Sequence, residues 1–331
     1  MQPGFFDYQD RLELLEQLGD PLPKLKRAVD WEAFRPLLGS VYKNSDPSKG
    51  GRPPYDAVLM FKVLVLQHLY NLGDDQTEFQ IRDRYSFCHF LGLSPEGKVP
   101  DAKTIWVYRE RLKELDLVDQ LFSALLAQID AAGFRARKGQ IVDAAIVPVP
   151  RQRNTREENA QIKAGESPED WSDNKRSQKD VDARWTKKHG KTHYGYKNHI
   201  SVDRQHKVIR KYAVTSAEVH DSQVFEDLLD EHNSNGNVWA DAAYRSAERE
   251  AALSAANYRS HIHRKATRKR PLNEREQRAN RKRSKVRARV EHVFAQQSNR
   301  LVRSIGQARA NVKIGLMNFV YNMRRLAWLT G

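Results

Sequence analysis

Gln140-Ile-Val-Asp-Ala-Ala-Ile-Val147 is a short, nearly all-apolar run between Gly139 and Pro148, with one carboxylate, Asp143, in its middle. Its length and its flanking breakers read as a buried strand. Asn237-Val-Trp-Ala-Asp-Ala-Ala-Tyr244 repeats the pattern and puts Asp241 in a second strand. A carboxylate buried without a partner is expensive, so each strand demands a counter-charge. For a single aspartate, an arginine partner or a helix cap would serve as well as a metal. Two such strands in one region favour a divalent cation, because Mg²⁺ prefers hard oxygen ligands and is typically held by one or two carboxylates plus phosphate oxygens.

Working outward, His193–Asp203 and Val208–Val214 alternate like half-buried strands around the turn Asp203–Lys207 and predict a hairpin. Ser222–Leu229 and Ala247–Ala256 read as helices, and Tyr258–His263 as a last strand. The order β, β, β, α, β, α, β, α describes a mixed α/β domain. From about 148 to 191 the chain is polar and charge-dense, with isolated Trp171 and Trp185, and is expected to be a mobile insertion without a core of its own. Between Arg264 and Arg303 basic residues dominate and only Glu274, Glu276 and Glu291 are acidic, ahead of an apolar helix from Val312 to Leu329. Val286, Val290, Val293, Phe294 and Leu301 give that basic stretch an apolar helical face with Glu291 directly beside it. Arg287, one turn earlier, offers Glu291 an ordinary i,i+4 ion pair as the alternative.

The first third reads as helical over Tyr8–Leu18, Trp31–Leu38, Tyr55–Leu72, Asp75–Leu91, Ala102–Leu115 and Leu117–Ala132. Asp101 looks like the cap of a helix whose Tyr108, Arg109, Arg111 and Lys113 form a basic face of the kind that can lie on DNA. The expected division is therefore 1–135, a helical N-terminal region, and 136–331, a mixed α/β domain.

Composition agrees with a polyanionic partner: 57 Lys and Arg against 42 Asp and Glu give a formal charge of +15. Cys88 is the only cysteine, which excludes an intramolecular disulfide, a cysteine zinc finger and a cysteine-ligated iron–sulfur cluster. His189, His193 and His199 fit no zinc spacing, and no Gly-x-x-x-x-Gly-Lys-Ser/Thr motif supports a nucleotide cofactor. The acids Asp7, Asp10, Glu13 and Glu16 are unlike a signal peptide, and Ala57–Tyr70 is too short and too interrupted to span a bilayer, so a cytoplasmic location without membrane contact is expected.

Three carboxylates in one basic domain suit phosphodiester chemistry. Two ions roughly 4 Å apart can activate an attacking oxygen and stabilise a leaving one, so that hydrolysis and strand transfer differ only in the nucleophile.

Ile141-Val-Asp-Ala-Ala145, Tyr194-Gly-Tyr-Lys-Asn-His199, Glu218-Val-His-Asp-Ser222, Ala240-Asp-Ala-Ala-Tyr244 and Arg287-Ala-Arg-Val-Glu-His292 together resemble the DDE transposases of bacterial insertion sequences, in the subgroup numbered family five. Gly51-Arg-Pro-Pro-Tyr55 and Leu69-Tyr-Asn-Leu72 resemble that subgroup's DNA-binding segment. The resemblance implies a ribonuclease-H-like fold in which Asp143, Asp241 and Glu291 are catalytic and hold two Mg²⁺ ions, with Mn²⁺ able to substitute. It implies a nucleoid-associated enzyme that binds terminal inverted repeats, frees 3′-hydroxyls and joins them to target double-stranded DNA as a homodimer or higher oligomer. The alternative is a non-catalytic DNA-binding protein derived from a transposase.

Of the family's signature around its glutamate, a Tyr and an Arg before it and a Lys after it, Arg287 matches, while Ser284 and Ser298 hold the other two places. Arg287, Arg289, Lys197, His199, Arg245, Arg283, Lys285 and Arg300 are the candidate DNA contacts, with Arg281 a further cation nearby. His220, Asp221, His292 and Trp185 form a second tier. His220 and Asp221 are open to a structural reading, Asp221 as a helix cap and His220 packed beside the sheet, and Trp185 is a candidate to stack on an unpaired base near a cut end.

Overall fold

The apolar run at 140 does form a strand, and the sheet is built around it. In a computed structural model describing residues 7–42, 53–94, 96–166, 168–188, 190–267, 270–298 and 300–331, β1 (Gln140–Pro148) lies inside a six-stranded mixed sheet with β2 (Arg184–Lys188), β3 (Lys191–Asp203), β4 (Ile209–Ser216), β5 (Asn237–Trp239) and β6 (Arg259–Ser260). Gly50, Gly51, Arg52, Pro95 and His189 lie outside the described residues.

β1 pairs antiparallel with β3 and β3 with β4, whereas β5 runs parallel to β1 and β6 parallel to β5. This is the ribonuclease-H-like arrangement. β3 is buried on both faces from Tyr194 onward instead of alternating, because it is flanked by strands and covered on both sides. The hairpin closes as expected, with the Asp203 N–H donating to the Val208 carbonyl.

Two register features place the site. Gln140 pairs with Val238 and Ile141 with Trp239, and the same offset carried forward brings Asp241 level with Asp143. β5, however, stops at Trp239. Asp241 therefore lies just past the strand and not within it, as the N-cap of a 3-10 turn, Ala242–Tyr244, with its carboxylate accepting from the Ala242 N–H. Below this level, Val142, Val238, Tyr244, Leu253 and Ile262 share a buried core.

Several helices also differ from expectation. Ser222–Leu229 is a 3-10 turn, Asp221–Val224, followed by further turns. The described residues of the 148–191 segment form elements: β2 pairs with β3, and α9 (Arg156–Lys163) and α10 (Asp173–Ser177) are joined through Trp171, which is 3% exposed and donates from Nε1 to Glu158 at 2.7 Å. Lys175 and Lys179 stand over its ring, and Lys175 also pairs with Glu158 at 2.7 Å. Polar anchors around one indole substitute for the missing aliphatics.

The helix read after β5 does form, as α11 (Ala247–Ala255). The basic helix beyond it is broken: α12 (Glu274–Arg287) ends before α13 (Glu291–Gln297) begins, where the apolar spacing predicts one continuous helix.

The N-terminal elements are α1 (Asp7–Gln17), α2 (Leu22–Ala28), α3 (Arg35–Leu38), α4 (Ala57–Leu69), α5 (Asp74–Asp83), α6 (Tyr85–Leu91), α7 (Ala102–Glu114) and α8 (Leu117–Ala131). Asp75–Leu91 splits at the extended Arg84, whose guanidinium stacks on Tyr70 and Phe87. Asp101 caps α7 by accepting from the Thr104 N–H. The basic face expected on α7 is spent inside the protein. Arg109 is buried and pairs with both oxygens of Asp74 at 2.6 and 2.8 Å, while Lys113 pairs with Glu110.

The chain forms two compact units, 1–133 with 315–331, and 134–314. The last helix, α14 (Gln307–Leu329), thus contributes residues to both, whereas the sequence places it wholly within the catalytic domain. Among the described residues no helix is long and apolar enough to cross a membrane.

Gly139, with φ +86°, leads into β1. A Cβ there would lie 2.5 Å from the Asn237 carbonyl oxygen of the neighbouring chain segment. Gly139→Ala is expected to lower stability by roughly 2–4 kcal/mol through backbone strain and the displaced β1–β5 contact. A urea titration of wild type and variant checks this, and overlapping curves would contradict it.

Candidate active site

Asp143 projects from the middle of β1 with its side chain 14% exposed, and Asp241 stands opposite, 47% exposed. Between them lies Arg287, from the last turn of α12. Its Nη1 is 3.1 Å from Asp241 Oδ2 and 3.9 Å from Asp143 Oδ2. Arg287 therefore serves the two aspartates and not Glu291, the partner suggested by helical spacing.

The electrostatics of the two carboxylates diverge. Burial pushes Asp143 up to about 6, against the pull of Arg287, the Ala144 N–H and Lys188. Partial burial also acts to raise Asp241, but the Ala242 N–H and Arg287 outweigh it and leave that group below the usual carboxylate range. His263 approaches Asp241 at 3.9 Å, and burial holds its imidazole below the ordinary value.

Two level carboxylates, one of them under-compensated by its surroundings, are a hard-oxygen donor pair suited to a divalent cation that also takes phosphate and water ligands. The residues present fit such an ion. Among the described residues no group of three or more His, Cys, Asp or Glu side chains converges to hold a metal. Glu291 is exposed at the first position of α13, so the structure brings together Asp143 and Asp241 without it.

The other candidate residues are mostly engaged with the protein itself. Lys197 is buried, pairing with Asp221 at 2.8 Å and donating to the Val219 carbonyl at 2.6 Å. His199 is fully buried against Thr215, and burial pushes it down to about 4. Arg245 is tied to Glu250 and the Ile262 carbonyl, and Arg283 to Asn280. Arg289 is exposed and donates to the Arg204 carbonyl; Lys285 is exposed and Arg300 half-buried. His292 lies 3.4 Å from Gln296 Nε2. Ser284 is 3.4 Å from His263, and Ser298 donates to the Ala295 carbonyl.

At the 219–222 turn the capping residue is His220, not Asp221. His220 is exposed, accepts from the Ser222 N–H through Nδ1 and is not packed beside the sheet. Asp221 is instead the counter-charge of Lys197, which removes it from capping. Trp185 is 42% exposed, tilted 38° against Tyr194 with centroids 4.9 Å apart, and borders a cavity of about 220 Å³ lined also by Asn154, Asn159, Lys163 and Arg184.

Sequence reasoning misses Arg249. It donates to the Tyr244 and Ser222 carbonyls at 2.7 and 2.8 Å and to Glu226 at 2.7 Å, clamping the turn that carries Asp241 to the 221–224 turn. Its motif-free setting in α11 gives no signal. Lys188, which contributes to the field at Asp143, lies in the segment that composition reads as having no fixed structure.

The family model described as Transposase DDE domain matches residues 135–323, spanning β1, the β5 turn and both α12 and α13. The chain belongs to that family. A second model, Transposase domain (DUF772), matches residues 10–111 of this transposase. No solved structure matches it. The pairing of the two domains is that of insertion-sequence DDE transposases, in agreement with the resemblance carried by the five sequence motifs.

The raised pKa of Asp143 has a measurable consequence. Folding takes up a proton between the ordinary value of 3.8 and about 6. The stability this contributes is fully present below the lower value and is lost as pH rises through the upper one. Asp143→Asn carries no charge into the site. In metal-free buffer it is expected to be more stable than wild type by about 1–3 kcal/mol above about pH 7, with the advantage vanishing below about pH 4. Unfolding curves across that range test this, and a pH-independent difference would refute it.

Proposed function

We propose that this transposase cleaves DNA at the ends of its element to expose 3′-hydroxyls and joins them to target DNA at the Asp143–Asp241 site. The supporting observation is the level pair of aspartates with an arginine between them, in a chain of the DDE family. Asp143 and Asp241 would hold divalent ions, Mg²⁺ with Mn²⁺ as a substitute, and the resemblance assigns Glu291 to complete the set. When bound, two such ions polarise the phosphodiester and activate the attacking oxygen in an in-line displacement.

The chain's own groups supply the rest. Arg287, in reach of both carboxylates, offers a cation to a non-bridging phosphate oxygen as charge develops there. Asp143 must be ionised to accept an ion, and its burial opposes that until the pH passes about 6. The Arg249 clamp keeps the Asp241 turn from shifting, so the ligand spacing is set before DNA arrives. The formal charge of +15 favours a duplex partner. Terminal inverted repeats as the recognised sequence, and a homodimer or higher oligomer to pair two ends, follow from the same reading.

Nicking of a duplex carrying the element's ends should require Mg²⁺ or Mn²⁺. Asp143→Ala and Asp241→Ala should abolish it while DNA binding persists, and a variant that nicks like wild type would end the catalytic reading. Trp185→Ala is expected to slow cleavage if its exposed ring stacks on an unpaired base. An unchanged rate removes that role.

A further inference from the structure

Helix α12 carries two stripes of different character. Residues 276, 280, 283 and 287 recur at helical spacing and face the protein. Glu276 is buried and bound by Arg264 at 2.6 Å and by Arg270 at 3.0 Å, Asn280 exchanges hydrogen bonds with the Arg264 backbone, and Arg287 reaches the aspartates. These contacts fix the rotation of the helix about its axis. On the far side, Arg275, Arg278, Lys282 and Lys285 are all exposed and fall within an arc of roughly 80° at 3.6 residues per turn.

The outward stripe is costly as it stands. Three- and four-residue neighbours on a helix interact, and like charges there destabilise it by a few tenths of a kcal/mol per pair. Among the described residues none of the four forms an ion pair. This face holds four cations along about 15 Å, close to four 3.4 Å steps of one DNA strand, with Glu274 at the first turn the one exposed acid of α12. The stripe leads toward the end of α12 at which Arg287 meets Asp143 and Asp241.

We infer that Arg275, Arg278, Lys282 and Lys285 form a phosphate track for duplex DNA, which guides the strand to be cut toward the aspartate pair. The inference rests on the transposase reading of that pair. The inward stripe serves the protein instead, since its side chains are engaged there and only Arg287 addresses the site itself. The division separates grip from chemistry on one rigid helix. DNA that is held on the outer stripe is thereby placed relative to Asp143 and Asp241 without relying on base contacts.

The test uses the full chain and a fluorescent duplex of about 40 base pairs, with affinity measured by anisotropy from low to moderate salt. Replacing all four stripe residues by Gln should lower the salt dependence of log K by about 3–4, at nearly one ion per phosphate contact. A control with Arg135, Arg137 and Lys138 changed to Gln, three exposed cations that precede β1 and lie outside α12, should alter it by less than about one. A thermal melt confirms that both variants fold. An unchanged slope in the stripe variant, or an equal drop in both, overturns the inference. Metal-dependent nicking by wild type is read separately: nicking with a wild-type slope in the variant defeats the track alone, and a lost slope without nicking by wild type defeats the catalytic reading alone.

Discussion

The parallel register of β1 and β5 is the constraint on which the site depends. Because Ile141 pairs with Trp239, the next residues of the two segments climb together until Asp143 and Asp241 stand level, and the chain then turns away at Ala242. When both are ionised, two like charges at that height repel one another, and a cation between them offsets the cost. Arg287 supplies one from α12, and the anchoring of that helix through Glu276 keeps it in place. Strand pairing, helix rotation and counter-charge are thus parts of a single device.

The asymmetry between the aspartates follows from where each sits. Each accepts from the N–H of the residue after it, but Asp143 lies in an interior strand with Arg287 at 3.9 Å, whereas Asp241 is half-exposed at a turn with Arg287 at 3.1 Å. One carboxylate is therefore held in reserve by burial while the other is already ionised. In the proposed role, a site that takes up and releases ions beside a polyanion would profit from such an unequal pair, because neither state is locked.

Much of this is legible in the sequence where the signal is local. β1, the hairpin and the Asp101 cap need only apolar runs, turn residues and a capping side chain, and they form as those signals predict. Sequence and structure part where a distant partner decides. Arg109 looks like a DNA-facing cation because Asp74, its partner, lies far back in the chain on another helix. The 148–191 segment looks coreless because its order comes from one indole held by Glu158 and lysines, a pattern that composition does not reveal. The place of Asp241 beside Asp143 is legible but its turn is not, since Ala242–Tyr244 is as apolar as a strand, and the Asp241 side chain accepts from the Ala242 N–H where the ladder ends. Glu291 is named by its place beside an apolar helical face and, more, by family likeness, and the break after Arg287 that sets it at the head of its own helix has no marker such as Pro or Gly.

The composition of the first compact unit bears on how the chain is made. Phe319 packs edge-on against Phe34 and Phe61 at 5.6 and 5.2 Å, inside a unit whose other residues end at Gly133. Domains generally fold as units, the N-terminal one first during synthesis. Here the early helices must wait with an apolar face uncovered until residues 134–314 have been translated and the closing helix has left the ribosome. The part of the chain that is born first is the last to be sealed.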